Sequence, residues 1–477
     1  MHVLLLRPIP GNERFGLGPF FRIEPLGMEY IAAALEASGH RVTLADLRFT
    51  TLERTIHRVH NQGGTALVGI ACMHALETDA VLTLAARVRR ALPQAFILVG
   101  GHSAAAYPRP FLTADVDAIC VDDGELVMPV VVEALEKGRD ISQVPGLVLR
   151  DPERPEGFRQ TEGATRAFKL DDVPLPSRHH VAPWRSKYAC LAHRPTWLVE
   201  TARGCPFRCS FCSIWQLHDR TFRERNVDSV CKDFASVGDH VFVADDLFWH
   251  HASRSEAVAK ELLRRGIRKQ WVLVQSRVDL VARHPELLET WKPFAREFDI
   301  FFGLEAATNE GLQGLVKDTT VDRTSQAIAI ARELGYGVTG NFVIDPAWDV
   351  ADFERLWDFI EQHKVWNAGF TILTPLPGTD YYEEMRPRLR AAEWAQFDMH
   401  HLLWEPKLGA RRFFELYSET WRRSVLNLSG RKKWYQWMRD VRLRDTLFLA
   451  RMLRRTQHLM DPDHYLSEHR LIEEWTA

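Results

Sequence analysis

Three cysteines lie close together in the stretch TARGCPFRCSFCSIW, where their thiolates could bind metal. They are Cys205, Cys209 and Cys212, with the spacing C-x3-C-x2-C. Structural zinc sites usually have four protein ligands, often as two C-x2-C pairs. No second pair follows here, although His218 could supply a fourth ligand. Three thiolates at the end of a strand fit a 4Fe–4S cluster better, with one iron left open for reaction.

Polar residues follow other predicted strands in the same half of the chain. The strands are TWLVETARG, HVFVADDLF, QWVLVQSRV, DIFFGLEA, GVTGNFVID and AGFTILTPLPG, with helical stretches between them. This alternation predicts most of a βα barrel, in which chemistry takes place at the carboxyl ends of the strands. The candidate residues at those ends are Asp245, Asp246, Gln275, Arg277, Glu305, Thr374 and Pro375. Helix capping by the acids, or a structural ion pair of Arg277, are the alternative roles.

The first 150 residues also alternate short apolar runs with helical patterns, which predicts a doubly wound parallel sheet. Ligands of such sheets bind beyond the carboxyl ends of the strands. The candidate residues there are His74, Gly100, Gly101, His102, Ser103, Gly124 and Glu125. We expect an N-terminal Rossmann-like domain over 1–144, a linker over 145–195 that could include a hairpin, a barrel over 196–385 and a helical region over 386–477.

Composition is that of an ordinary globular protein of 477 residues, with 46% hydrophobic residues and a net charge of −2. No apolar run is long enough to span a membrane, so we expect a cytoplasmic protein. The remaining cysteines are scattered and are expected to be buried, inert thiols. The segment 431–460 is basic, with aromatic and aliphatic residues between the charges. This pattern predicts peripheral contact of the segment with a membrane surface. A packed helix and RNA binding are the alternatives, although we expect no nucleic-acid partner.

The cysteine motif, with Phe211 before its last cysteine, resembles that of the radical S-adenosylmethionine superfamily. The resemblance implies that the three cysteines hold a 4Fe–4S cluster and that S-adenosylmethionine binds its open iron. Reductive cleavage would then yield a 5′-deoxyadenosyl radical. It also implies that the polar residues at the barrel strand ends bind S-adenosylmethionine. An external donor of the flavodoxin or ferredoxin type would supply the electron.

The segments RIEPLGMEYIAAALEASGH, ILVGGHSAAAYP and CVDDGE resemble the cobalamin-binding class B methylases of that superfamily. The resemblance implies that the candidate residues at the strand ends of the N-terminal domain bind cobalamin. The motif D-x-H-x-x-G is absent, since Asp46 is followed by Leu47, Arg48 and Phe49. This argues against a histidine ligand to cobalt. A domain that has lost its cofactor is the alternative.

Over about residues 1–385 the chain is similar to hopanoid C-3 methylases and to the anaerobic cyclase and methylases of bacteriochlorophyll synthesis. The matching phrases include ETARGCPFRCSFCSIW, FVADDLFW and FTILTPLPGT. The resemblance implies a methyltransferase that acts on an unactivated carbon of a large apolar substrate, such as a hopanoid-like lipid or a tetrapyrrole. A radical cyclase or rearrangement enzyme using cobalamin without methyl transfer, and a non-catalytic iron–sulfur sensor, are the alternatives.

Overall fold

The computed structural model describes residues 1–10, 21–161, 168–390, 393–424, 450–452 and 454–469. Two α/β units follow one another along this part of the chain, and helices follow the second unit. None of the described helices combines the length and the apolar character needed to cross a lipid bilayer.

The first unit is built on a seven-stranded sheet. Its strands are β1 (His2–Arg7), β2 (Arg41–Asp46), β3 (Leu67–Ala71), β4 (Phe96–Gly100), β5 (Ala118–Cys120), β6 (Leu147–Arg150) and β7 (Phe158–Gln160). They lie in the order β2-β1-β3-β4-β5-β6-β7, and the first five are parallel. The strand order reverses at β1, so the crevice for a ligand lies beyond the ends of β1 and β3.

Helices cover both faces of this sheet because its central strands are apolar on both sides. Val3 and Leu5 pack on one face, with the helices Leu26–Ala37 and Gly124–Glu136. Leu4 and Leu6 pack on the other, with the helices Leu52–Asn61 and Thr78–Ala91. The prediction of a doubly wound unit is confirmed.

The sheet continues beyond residue 144, where the sequence predicts the domain to end. β6 pairs with β5 and β7 pairs with β6, both antiparallel. Leu147 and Val148 are buried, and their strand covers an edge of β5 that would otherwise expose unpaired backbone groups. The hairpin expected in the linker is therefore part of the first sheet.

The second unit is a curved sheet of six strands that lie in chain order. They are β8 (Trp197–Val199), β9 (His240–Val243), β10 (Lys269–Ser276), β11 (Ala295–Glu305), β12 (Gly337–Ile344) and β13 (Gly369–Ile372). All five pairings are parallel. The helices between them are Ile214–Leu217, Val227–Ser236, Ala252–Arg264, Val278–Arg283, Pro285–Trp291, Asn309–Gly314, Val321–Glu333 and Val350–His363. The prediction of a partial βα barrel is confirmed.

Beyond β13 the chain forms the helices Asp380–Met385, Ala410–Ser424 and Pro462–Glu468. The longest packs against the last barrel strand: the rings of Phe370 and Trp421 lie 5.1 Å apart, and the Tyr417 hydroxyl donates to the carbonyl of Phe370 at 2.8 Å. Most of the basic segment 431–460 lies outside the described residues, so its membrane contact stays a prediction.

Candidate functional site

The cysteine loop begins at the carboxyl end of β8 and is held there by two acids that follow β9. Asp245 is buried and accepts hydrogen bonds from the amide and hydroxyl of Thr201, both at 2.6 Å. Asp246 accepts from the amide of Gly204 at 2.9 Å. Burial raises the pKa of Asp245 to about 7 and that of Asp246 to about 6. The structure thus gives both predicted cofactor residues a role in positioning the loop, and their contact with S-adenosylmethionine stays a prediction.

Gly204 lets the chain turn immediately before the first cysteine. Its φ angle is +93°, and a Cβ atom on this residue would lie 2.3 Å from the carbonyl oxygen of Thr221. Any side chain at this position would therefore collide with backbone and occupy a conformation that L-residues rarely adopt. The glycine fixes the direction in which the loop leaves the strand.

The three thiols of the loop are half-buried and form no disulfide. Burial raises the pKa of each, to about 12 for Cys212, while Lys317 and Arg277 oppose the rise at Cys209. Soft thiolates in a group of three suit an iron–sulfur cluster that keeps one open iron. The remaining cysteines, all buried, are Cys72, Cys120, Cys190 and Cys231. The donor set therefore fits the cluster that the motif implies.

Two aromatic residues of the loop fix its shape. The indole nitrogen of Trp215 donates to the carbonyl oxygen of Cys209 at 3.1 Å. The Arg277 guanidinium lies 3.6 Å from the centre of the Phe207 ring. Arg277 also pairs with Asp279 at 2.8 Å through Nε. Arg277, predicted to bind S-adenosylmethionine, thus lies against the cysteine loop. It also forms an ion pair, which is the alternative role expected for it.

Glu305 ends β11 in a strained conformation. Its φ angle is +63°, and the register between β11 and β12 shifts at Gly303 and Glu305. Its carboxylate pairs with the buried ammonium of Lys317 at 2.7 Å, and Lys317 also donates to the carbonyl of Gly303 at 2.7 Å. Strained non-glycine backbone concentrates at functional sites. Lys317 is not among the residues predicted from the sequence, because a lone lysine after a turn carries no signal of burial.

The other predicted barrel residues lie at the same edge of the sheet. Gln275 is half-buried, and its carbonyl accepts from the amide of Phe248 at 2.9 Å. Thr374 and Pro375 are buried after β13, and the Thr374 hydroxyl donates to the carbonyl of Ile372 at 2.9 Å. In the same turn, a Cβ atom on Gly378 would lie 2.6 Å from the carbonyl oxygen of Ala106. The last barrel turn therefore touches the N-terminal unit directly.

The turn after β4 joins the predicted cobalamin site to the cysteine loop. Gly101 has a φ angle of +102°, and a Cβ atom there would lie 2.7 Å from the carbonyl oxygen of Cys72. The amide of Ser103 donates to the same oxygen at 3.1 Å. His102 Nε2 lies 2.6 Å from the hydroxyl of Ser213, one residue past the last cysteine. Gly100 ends β4 directly before this turn.

His74 lies after β3, at the border of the strand-order reversal. Its side chain and that of Met73 are exposed. Burial nevertheless lowers the pKa of His74, and burial with a smaller effect of His74 lowers that of His102 to about 4. Solvent therefore reaches the His74 side chain while protein surrounds its ring. This fits a bound cofactor, and the roles of these histidines toward it stay predictions.

A buried ion cluster joins the turn after β5 to the start of the cysteine loop. Arg203 bonds to Asp123, to Glu125 at 2.6 Å and to both oxygens of Glu200 at 3.0 Å. Arg223 pairs with Asp123 at 2.7 Å and donates to His218 Nδ1 at 3.0 Å. Gly124, at the start of its helix, lies between the two acids. The carboxylate of Glu125 therefore contacts Arg203, and its contact with cobalamin stays a prediction.

Aromatic residues from both units meet next to this edge of the barrel. Tyr107 lies 5.8 Å from Tyr382 and 6.2 Å from Trp394, measured between ring centres. Trp394–Gln396 packs against Ala75–Glu77 of the N-terminal unit. The same apolar cluster includes Phe211 of the cysteine loop, Leu373, Met385, Leu403 and Trp404. An apolar wall thus adjoins both predicted cofactor sites.

Comparison with known proteins agrees with this arrangement. Residues 20–132 match the B12 binding domain model, and residues 199–360 match the model of the Radical SAM superfamily. The hopanoid C-3 methylase of Methylococcus capsulatus is 30% identical over 402 residues, which cover 83% of this chain and 75% of the methylase. The anaerobic magnesium-protoporphyrin IX monomethyl ester cyclase of Rubrivivax gelatinosus is 25% identical, over 63% of this chain and 55% of the cyclase.

A solved structure shares the fold. The cobalamin-dependent S-adenosylmethionine radical enzyme OxsB, with aqua-cobalamin and S-adenosylmethionine bound, superposes with a TM-score of 0.70 at 16% identity. The match covers 100% of this chain and 80% of that one.

Proposed function

Because the chain belongs to the cobalamin-dependent radical S-adenosylmethionine methyltransferases, we propose that it methylates an unactivated carbon of a large apolar substrate. A 4Fe–4S cluster, S-adenosylmethionine and cobalamin are the cofactors of this enzyme. Together they supply the radical that removes hydrogen from carbon and the methyl group that replaces it. The protein binds and orients these groups and keeps water away from them.

Each cofactor has a defined set of candidate residues. Cys205, Cys209 and Cys212 would hold the cluster. The residues proposed for S-adenosylmethionine are Asp245, Asp246, Gln275, Arg277, Glu305, Thr374 and Pro375. Those proposed for cobalamin are His74, Gly100, Gly101, His102, Ser103, Gly124 and Glu125. In each set the residues lie at the carboxyl ends of parallel strands, where ligands of these folds bind.

The apolar wall is the observation that carries the substrate class. Tyr107, Phe211 and Trp394 come from three separate parts of the chain, yet they belong to one cluster beside the cysteine loop. A site walled by aromatic rings binds apolar surface well, and each buried aromatic contact adds about 0.5–1.5 kcal/mol beyond its area. The relative from Methylococcus, whose name specifies a hopanoid, supports the same class.

The test uses the anaerobically reconstituted enzyme with reductant, cobalamin and S-adenosylmethionine carrying a deuterated methyl group. A hopanoid extract and magnesium protoporphyrin monomethyl ester are the substrates offered. We expect S-adenosylhomocysteine, 5′-deoxyadenosine and a hopanoid that carries the labelled methyl group. Cys209→Ala should abolish all three products, whereas the control Cys231→Ala, at a buried cysteine outside the loop, should retain them.

Radical cyclisation is the second candidate, supported by the likeness to the anaerobic cyclase. A cyclase would form 5′-deoxyadenosine with the protoporphyrin and transfer no label. Unlabelled product together with consumed S-adenosylmethionine would therefore overturn methylation and favour cyclisation. We further propose that the external electron donor is of the flavodoxin or ferredoxin type. We also propose that segment 431–460 brings the enzyme to a membrane that contains the substrate.

A further inference from the structure

Three side chains of metal-binding type meet away from the cofactor sites. Glu36 lies at the end of the helix Leu26–Ala37, and His179 and His180 belong to the connection between the two units. Their ligand atoms all lie within 4.8 Å of one another. We propose that these side chains bind a first-row divalent cation of the zinc type, which fastens the connection to the N-terminal unit.

The distances fit such an ion. Nitrogen and oxygen ligands lie roughly 2.0–2.2 Å from zinc, so in a tetrahedral site neighbouring ligand atoms are about 3.3–3.6 Å apart. His179 Nε2 lies 3.4 Å from Glu36 Oε1, and His180 Nε2 lies 2.8 Å from the same oxygen. Lengthening the distance between His180 Nε2 and Glu36 Oε1 by roughly half an ångström would make room for the ion between them. His179 is exposed, so solvent reaches the group and can supply the fourth ligand.

The carboxylate is already oriented for this role. The hydroxyl of Ser177 donates to Glu36 Oε2 at 2.5 Å, which leaves Oε1 facing the imidazole nitrogens. Partners of this kind orient the ligands of metal sites. The two imidazole rings lie 4.1 Å apart beside the same carboxylate oxygen, so both can reach one ion. Imidazole ligands suit zinc rather than magnesium.

The neighbouring residues extend the consequence to the barrel. Arg178, directly before the two histidines, pairs with Asp233 at 2.5 Å and donates to the carbonyl of Leu198 in β8 at 2.7 Å. A metal at His179 and His180 therefore ties the helix of the N-terminal unit to a segment that is already bound to the barrel. We expect the ion to stabilise the relative position of the two units.

The experiment measures zinc bound by the anaerobically reconstituted holoenzyme, in which the loop cysteines hold the cluster. Wild type, His179→Ala and the control His57→Ala are washed with chelator and dialysed against Zn²⁺. His57 is an exposed histidine on another helix. Wild type and His57→Ala should each bind one zinc ion per chain more than His179→Ala. Zn²⁺ should raise the unfolding temperature of wild type and of His57→Ala but not that of His179→Ala. Mg²⁺ should raise it in none of the three proteins.

X-ray absorption at the zinc edge identifies the ligands independently of activity. We expect nitrogen and oxygen ligands with the scattering pattern of imidazole, lost in His179→Ala. Equal zinc content in the three proteins would overturn the proposal and leave Glu36 and His180 as an ordinary ion pair. Sulfur ligands at the zinc would overturn it as well, because they would place the ion at the cysteines.

Discussion

Replacing Arg203 by methionine tests how the two cofactor-binding units are held at a fixed relative position. The Arg203 side chain is only 12% exposed and lies between Asp123 and Glu125 of the N-terminal unit and Glu200 of the barrel. Methionine fills much of the same space without charge or hydrogen bonds. The variant therefore removes the ionic contacts of Arg203 with the turn after β5 and leaves the pair between Arg223 and Asp123 in place.

The free-energy cost of the substitution follows from the buried carboxylates that lose their partner. Removing one partner of a buried ion pair costs about 3–5 kcal/mol, because the remaining charge is neither solvated nor paired. Burial opposes ionisation of Asp123, yet Arg203 and Arg223 lower its pKa, whereas burial raises the pKa of Glu125. Asp123 keeps its pair with Arg223, and Glu125 can take up a proton, so the lower end of this range of free energies applies. About 3 kcal/mol is roughly a 150-fold loss in the equilibrium that holds the turn against the loop.

The assay compares two products of the same turnover mixture. Arg203→Met should keep its iron content and still form 5′-deoxyadenosine, since none of the cysteines is changed. Methylated product per 5′-deoxyadenosine should fall, because the radical and the methyl donor are no longer held at a fixed separation. The control is Arg265→Met, which removes a surface pair with Glu261 and should leave the ratio unchanged.

Two results would refute this reasoning. An unchanged product ratio with bound cobalamin would mean that the ion cluster does not set the separation. Loss of iron would mean that Arg203 acts only on the fold of the cysteine loop. Glu125→Gln keeps the shape of the side chain and should lower the ratio in the same direction but less.

Three further predictions concern single positions. Gly101→Ala places a Cβ atom 2.7 Å from the carbonyl oxygen of Cys72 at a φ angle of +102°, so it should cost about 1–3 kcal/mol and lower the cobalamin retained after gel filtration; full retention would contradict it. Burial raises the pKa of Asp245 from 3.8 to about 7, so between these values the folded state keeps a proton that the unfolded chain has lost, and stability falls as pH rises. Urea unfolding at several pH values should show a shallower fall for Asp245→Asn, and parallel curves would contradict the assignment. Trp394→Ala removes an aromatic contact with Tyr107 and should raise the KM for the apolar substrate about two- to tenfold without changing substrate-free cleavage of S-adenosylmethionine; an unchanged KM would show that Trp394 only packs.

The sequence predicts the features that are encoded locally. An apolar run such as HVLLL predicts a central strand, because a strand that is buried on both faces carries apolar side chains on both. The cysteine loop is recognisable because its three ligands lie within eight residues. The bounds of the first sheet were harder to predict, because β6 and β7 are short and their burial depends on an edge formed elsewhere in the chain.

Contacts between distant segments could not be predicted. Arg203 and Glu125 are 78 residues apart in the chain, and no periodicity links them. Glu305 is recognisable as a polar residue at a strand end, but its left-handed backbone and its pair with Lys317 depend on the bulge in β11. The residues that position the site are therefore less visible in sequence than those that bind metal.

The close approach of Gly378 to Ala106 limits how these two segments can change during evolution. A Cβ atom on the glycine would lie 2.6 Å from the carbonyl oxygen of the alanine and 2.8 Å from its Cβ. A residue with a Cβ atom fits in place of Gly378 only if the backbone at Ala106 moves away. This position is therefore closed to every residue except glycine for as long as the last barrel turn and the N-terminal unit keep their present separation.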